Sequence, residues 1–528
     1  MLNFHFSLGQ IIPLLVSACL LITSILSFKK SEKIGLTFLF IGAIALGYFA
    51  SNLNHFLEIW DEQFHALVAK NMSKEPFSPK LFPEVVLPYQ YTNWTNNYIW
   101  LHKQPLFLWQ MALSIKLFGA TEFAVRFPSI ILHAIIPLFV YRIGKITLNK
   151  EIGFIAAVLI TTSYFPLELI TGRYATDHND ISFLFYVTGS FWAWFEYQRS
   201  KDFKYLIFIG LFSGCAVLVK WLMGLIIYVI WTITNLISYR LLFLKKAYSL
   251  PLIQASSISL LVFLPWQFYI HWRFPKEASY ELNLNGQHFF NAIEGHSGDF
   301  TFHFTDGLSI LYGSGDAVPF LLLTGLILAI QKCNNLNSRL FIGTSVVFTY
   351  LFFSFAATKM IAFPLTVMPF MYLGLATLIY FVIDFVALKL KVKAISIIGI
   401  PLLTILISFT ALNLNRLENY HTNWKQNDNQ NWAVKTKEKK FILQLKNLLN
   451  DGQHLVFNCN KAFFSNISIM FYTNHLAYIK TPSKQEIEHL KKKKKKIAVI
   501  DDGTLPIYIL HDNSIKKIPS KEVKPKVN

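Results

Sequence analysis

From its start to about Leu412 the chain repeats one pattern, apolar runs of roughly 18 to 23 residues, each long enough to cross a hydrocarbon core about 30 Å thick. Backbone inside lipid must satisfy its own hydrogen bonds, so such runs fold as helices that cross the bilayer and pack on one another. Of the 528 residues 53% are hydrophobic and 15% charged, which excludes collagen, disorder and a small secreted scaffold. The 49 Lys and Arg exceed the 30 Asp and Glu by 19. A membrane accounts for that excess, because the cations cluster in short gaps between apolar runs and in a polar tail; no nucleic-acid motif is present and no nucleic-acid partner is expected. Cys19, Cys215, Cys333 and Cys459 are scattered and read as packing residues.

Positive charge assigns the sides. Lys29, Lys30 and Lys33 share one gap with the cytoplasm, and the later gaps carrying Arg142, Lys145 and Lys150, then Arg199, Lys201 and Lys204, then Arg240, Lys245 and Lys246, then Lys332 and Arg339, then Lys389, Lys391 and Lys393 fall on the same side. The pattern predicts about 12 crossings. The outer face then holds the long loop 54–122, the connections 173–180 and 271–316, the turn at Lys359 and everything after Asn413. Within the first loop Pro105 to Phe118 is too short to cross and reads as an interfacial helix.

Two domains are expected: residues 1–413 in the membrane, and 414–528 as a small soluble α/β domain outside. In the latter His454–Asn458 and Lys496–Asp501 read as strands, Ile507–Leu510 as a third, and Lys461–Tyr472 as a helix. Ser483-Lys-Gln-Glu486 is a capping box that opens another helix, ending in the lysine run Lys491–Lys496.

Three polar constellations fall at the outer ends of otherwise apolar segments. Trp60-Asp61-Glu62 with His65 places two acids where a helix begins, and puts Asp61 and His65 on one helical face. His102-Lys103-Gln104-Pro105 sets a lysine at the start of the interfacial helix, where it either snorkels or holds a phosphate. Arg173-Tyr174-Ala-Thr-Asp177-His178-Asn179-Asp180 is a dense polar connection. Lys220, Lys359 and the loop with His288, Glu294, His296, Asp299 and His303 share that face. Singly each is explained by a wet loop; together they converge, since charges at membrane depth must be paired, hydrated or used. Cations would neutralise a phosphate leaving group, and a carboxylate would take the proton of an attacking hydroxyl or amine.

In this order the elements resemble the GT-C class of membrane glycosyltransferases, particularly bacterial relatives of protein O-mannosyltransferase and of the aminoarabinose lipid A transferase. Trp60-Asp61-Glu62 looks like the acidic signature of their first outer loop; His102-Lys103-Gln104-Pro105-Leu106, Leu117-Phe118-Gly119 and Val125-Arg126-Phe127-Pro128 look like the lysine-proline element and its continuation. Gly172-Arg173-Tyr174-Ala175 with the acids after it, Val219-Lys220 and Thr358-Lys359-Met360 resemble later elements. The resemblance implies a polytopic α-helical membrane fold with a small C-terminal extracytoplasmic α/β domain, in the cytoplasmic (inner) membrane among its lipids, with the site facing outward. It implies a polyprenyl-phosphate-linked sugar donor and a lipid or protein acceptor, as in lipid A modification or protein glycosylation. It implies further that Asp61 activates the acceptor, with Glu62 supporting it or helping to bind a divalent cation, that Lys103 holds the donor phosphate with Arg126, Lys220 and Lys359 as weaker candidates, and that Asp177, or alternatively Asp180, is the second-loop acid; Arg173 and Tyr174 lie beside it. A divalent metal, magnesium or zinc, has room in this reading, with His65, His102 and His288 as ligands.

Two other classes fit a polytopic chain. A lipid flippase or transporter would place its ionisable groups near midplane rather than at one end. A noncatalytic scaffold would use the tail as its binding module.

Overall fold

The structure, a computed structural model, describes residues 6–520 apart from 314 and 419–428. The chain begins with a hairpin of α1 (Leu8–Phe28) and α2 (Glu32–Ser51). Gly35 lies against Phe28 and Gly42 against Leu21. These small residues let the helices close enough for Ser17 Oγ to donate to the Gly42 carbonyl (2.8 Å) and Ser24 Oγ to that of Gly35 (2.6 Å). The loop that follows carries α3 (Asp61–Met72) and α4 (Pro105–Phe118), the latter with the bounds its proline and length predict.

The bundle continues through α5 (Glu122–Thr147), α6 (Lys150–Thr161), α7 (Tyr164–Ile170), α8 (Asp177–Ser200), α9 (Phe203–Lys220), α10 (Ile226–Tyr239), α11 (Lys246–Arg273), α12 (Pro275–Gln287), α13 (Asp306–Tyr312), α14 (Ala317–Lys332), α15 (Leu336–Phe355), α16 (Met368–Leu390) and α17 (Lys393–Leu412). Among the described residues eight helical runs have the length and apolarity of a crossing, and ten do if the bent pairs α6–α7 (45°) and α13–α14 (82°) each count as one. The sequence pattern predicts about 12, and two elements account for the difference. Helix α8 is less apolar, yet its first turn meets α3 while Glu196 near its end pairs with Arg142 at the basic end of the bundle. Helices α9 and α10 form one continuous helical run, but Trp221 breaks it at φ 53° and a Cβ on Gly224 would collide with the backbone of Ala216 and Val217. Seven residues along a straight helix would separate them by about 10 Å, so the chain reverses there.

Hydrogen bonds tie the basic gaps into one end of the bundle. Lys145 Nζ donates to Glu32 Oε1 (2.6 Å), Lys29 Nζ to the Ile397 carbonyl (3.2 Å), Asn334 N to the Thr147 carbonyl (2.9 Å) and Ser238 Oγ to Asn337 Oδ1 (2.9 Å). Asp61, Asp177 and Lys220 gather at the other end.

Beyond α17 a short α18 (Leu414–Glu418) and α19 (Asn429–Leu448) lead to a small sheet domain of β1 (His454–Phe457), α20 (Ser465–Tyr472), β2 (Leu476–Ala477), α21 (Lys484–Lys492), β3 (Lys496–Asp501), α22 (Ile507–Leu510) and β4 (Ile515–Pro519). The strands are parallel in the order β2-β1-β3-β4, with Val456 opposite Ala498 and Ala498 opposite Lys516. Parallel neighbours need crossovers, which the helices supply. The Ser483–Glu486 capping box forms as expected. Two expectations need correction. Ile507–Leu510 is a helical turn, because the fourth parallel strand needs a crossover before it. The Lys461–Tyr472 helix is broken at Phe464, where φ is 45°.

Candidate active site

Helix α3 opens abruptly. Trp60 adopts φ 75°, a conformation costly for any residue with a Cβ, and turns the chain so that Asp61 and Glu62 fall in the first helical turn, where the exposed N–H groups favour negative charge. The two acids then part. Glu62 is fully buried, and its carboxylate accepts from Arg126 Nε (2.7 Å) and Nη2 (3.0 Å), from the Glu58 N–H (2.6 Å) and from His178 Nε2 (3.2 Å). Burial alone would raise it, but Arg126 and His178 hold it down at about 2. Gly172 (φ 77°) packs on this carboxylate so closely that a Cβ would overlap it.

Arg126 completes its five donors on the carbonyls of Ser51 (2.8 Å), Asn54 (2.6 Å) and Phe56 (2.8 Å). It has no N–H left for a phosphate. In this structure Arg126 is the bolt between α5, the end of α2 and α3. Lys359 is likewise occupied. Its ammonium donates to the carbonyls of Phe353 (3.1 Å), Ser354 (2.7 Å) and Ala356, capping the end of α15 with all three protons.

Asp61 points into the space between α3 and the second acidic loop. One oxygen accepts the Thr176 N–H (2.6 Å), offered because Thr176 itself sits at φ 66°. Thr176 Oγ1 and Lys220 Nζ both donate to Asp180, so Asp180 braces this loop and pairs with Lys220. Asp177 lies below, its Oδ1 on His65 Nδ1 (3.0 Å), while Asp177 Oδ2 and His65 Nε2 are buried without a hydrogen-bond partner. Burial would raise the Asp61 carboxyl, yet Lys103, His65 and the Thr176 N–H hold it at about 2. Burial lowers the His65 imidazole to about 4.

Lys103 is the strongest favourable charge on Asp61. It is half-buried in the turn before α4 and has no hydrogen-bond or ion-pair partner among the described residues. Its neighbours are fixed. Buried His102 stacks flat on Trp94 (centroids 4.7 Å apart, rings 5° apart) with Nδ1 3.3 Å from Glu281 Oε2, and Gln104 accepts from Gln267 (2.8 Å). An ammonium without a protein partner among the described residues, acting electrostatically on a carboxylate with which it forms no direct pair, can meet an anion while the carboxylate meets a proton.

The histidines expected around a metal are not gathered. His65 bonds to Asp177, His102 to Glu281 and His288 to Thr358 (3.2 Å). Among the described residues no three His, Cys, Asp or Glu side chains form a group that could hold a metal ion. Arg173 and Tyr174 turn away from Asp61: Arg173 donates to Glu168 (3.2 Å), the Leu417 carbonyl (2.9 Å) and Asn54 (3.1 Å), and Tyr174 meets Arg416. Sequence reasoning missed Glu281, Trp94 and Phe464. Glu281 had one signal, a carboxylate on α12 that ends up 1% exposed; the other two are single aromatics in an aromatic-rich chain.

Residues 102–269 match the family model described as dolichyl-phosphate-mannose-protein mannosyltransferase. A protein of Aquifex aeolicus, described only as uncharacterized, is 29% identical over 166 residues, 31% of this chain and 30% of its own length, so the chain spans about a third of that curated relative. ArnT from Cupriavidus metallidurans bound to undecaprenyl phosphate superposes with a TM-score of 0.62 at 13% identity over 87% of this chain and 88% of its own. The archaeal oligosaccharyltransferase AglB from Archaeoglobus fulgidus, in complex with an inhibitory peptide and a dolichol-phosphate, gives 0.55 at 13% identity over 86% and 65%. The apolar helices, the polar cluster at one end of the bundle, the small C-terminal sheet and these likenesses agree: this multi-pass membrane chain has the GT-C glycosyltransferase fold.

Proposed function

We propose that this protein transfers a sugar from a polyprenyl-phosphate donor to a lipid or protein acceptor at the outer face of the cytoplasmic membrane. The observation that carries the reading is geometric: Asp61, at the opening of α3, accepts the Thr176 N–H of the second acidic loop, whose Asp180 holds Lys220, while Lys103 before α4 has no partner of its own among the described residues. Lys103 holds the donor phosphate. Asp61 accepts the proton of the acceptor hydroxyl or amine as that atom bonds to the anomeric carbon. The bond from that carbon to the phosphate oxygen breaks on the opposite side, and the polyprenyl phosphate leaves with the electron pair, its charge met by Lys103. Lys220, already on Asp180, adds positive potential from the far side of the loop. Attack opposite the leaving group inverts the anomeric centre.

The undecaprenyl phosphate bound to ArnT and the dolichol-phosphate bound to AglB support a donor of this class. The charges sit at one end of the bundle, where a transferase needs them and a midplane transporter does not. The test uses purified protein in vesicles with undecaprenyl-phosphate-linked sugars. Asp61→Asn should lower transfer by roughly 100-fold or more, and Lys103→Ala should weaken use of the donor, with both proteins inserted and folded. Normal transfer by both variants, or lipid flux without a covalent product, refutes the proposal.

A further inference from the structure

The helix that presents Asp61 is held by a domain from the far end of the chain. Phe464 stands at the kink before α20, itself at φ 45°, and its ring packs on Trp60 (centroids 4.6 Å apart) and on Phe64 (5.5 Å), one turn further along α3. Trp94 closes the other side of Phe64 at 4.9 Å. Around this contact the sheet domain is fastened to the same stretch of chain. Lys70 Nζ donates to the carbonyls of Met470 (2.8 Å), Phe471 (2.7 Å) and Thr473 (2.7 Å) at the end of α20. Tyr472 Oη accepts the Leu57 N–H (3.2 Å) and bonds to Glu122, and Lys435 reaches Glu58 (3.2 Å), whose own N–H holds Glu62.

A tryptophan with positive φ persists only where its surroundings over-determine it. The residue is 51% exposed, so the membrane helices do not fix it by enclosure; the rings of Phe464 and Trp94 pack against its own. Asp61 is the next residue, and the direction of its carboxylate toward Thr176 N follows from the Trp60 dihedrals. We infer that Phe464 is a positioning residue for Asp61, which makes the C-terminal domain a part of the active site and not an appended module. The inference rests on the proposed role of Asp61 for its kinetic consequence but not for the clamp itself. An ångström of drift in a reacting group is enough to lower kcat without altering donor binding.

The full-length protein in vesicles tests it with Phe464→Ala, Phe464→Leu and Phe464→Tyr. Backbone hydrogen exchange over residues 58–66 should be about tenfold faster in F464A and near wild type in F464Y, the loss expected from one aromatic pair. With an undecaprenyl-phosphate sugar used by the wild type, kcat should fall about tenfold in F464A, KM for the donor should stay within about twofold, and F464Y should recover kcat. If F464A does not fold, F464L, which keeps the volume and loses the ring, is compared with F464Y in its place. Unchanged exchange over 58–66 overturns the clamp. So does a loss that moves KM and kcat together and is not recovered by F464Y. A wild type that transfers no sugar while F464A still loosens 58–66 overturns the proposed function and leaves the clamp standing.

Discussion

Replacing Arg126 by Lys separates the structural role assigned to it from the donor-binding role that its place in the sequence suggests. Arg126 is fully buried and spends five N–H bonds on two oxygens of Glu62 and three backbone carbonyls, all between 2.6 and 3.0 Å. A lysine keeps the charge but has three protons, so at least two of the five hydrogen bonds are lost. A lost bond to a buried or charged acceptor costs about 1–3 kcal/mol, which puts the variant about 2–6 kcal/mol below wild type, a large part of a typical 5–15 kcal/mol fold stability. Glu62→Gln, which removes the counter-charge instead, should cost about 3–5 kcal/mol by leaving the guanidinium under-paired. The assay is reversible unfolding of the detergent-solubilised protein by SDS titration, alongside binding of undecaprenyl phosphate to the folded fraction. Stability should fall and affinity should hold. An Arg126→Lys protein within about 0.5 kcal/mol of wild type, below the cost of even one such bond, refutes the bolt; weakened phosphate binding at unchanged stability would return Arg126 to the donor site.

The remaining predictions concern the same few residues. Gly172→Ala should destabilise by about 2–4 kcal/mol, because it combines a left-handed residue bearing a Cβ with displacement of the Glu62 carboxylate from Arg126; SDS titration reads it, and a neutral result would mean that the loop relaxes freely. The Asp61 carboxyl lies at about 2 against burial largely through Lys103, so wild-type transfer should show no acid limb from Asp61 between about pH 5 and 8. Lys103→Gln removes the strongest favourable charge and leaves the burial, so the carboxyl rises and the acid limb of the pH–rate profile moves to higher pH. An unmoved limb would show that the two groups are not electrostatically coupled.

Much of the architecture is one-dimensional and was legible as such. A proline at the first turn of α4, a capping box at Ser483 and the clustering of basic gaps each act within a few residues, and the structure keeps them; run length and apolarity alone give eight to ten crossings among the described residues. The ordered polar motifs also located the face where Asp61, Asp177 and Lys220 meet, because charges at the ends of apolar helices have few other places to go. Which charge serves which purpose was decided by tertiary contacts. Glu62 and Arg126 are 64 residues apart and pair only because the fold brings the first turns of α3 and α5 within reach of one arginine side chain. Lys359 spends its protons on a helix end whose position depends on how α15 stops, and His65, His102 and His288 each find a different partner across a chain reversal. Asp61 and Glu62 are adjacent in sequence, yet one is locked beneath Gly172 and the other faces Thr176 and Lys103. Composition and spacing fix how a segment sits in the membrane, since that depends on local transfer free energy. The task of a buried side chain depends on how many of its hydrogen-bonding groups the rest of the fold has already satisfied.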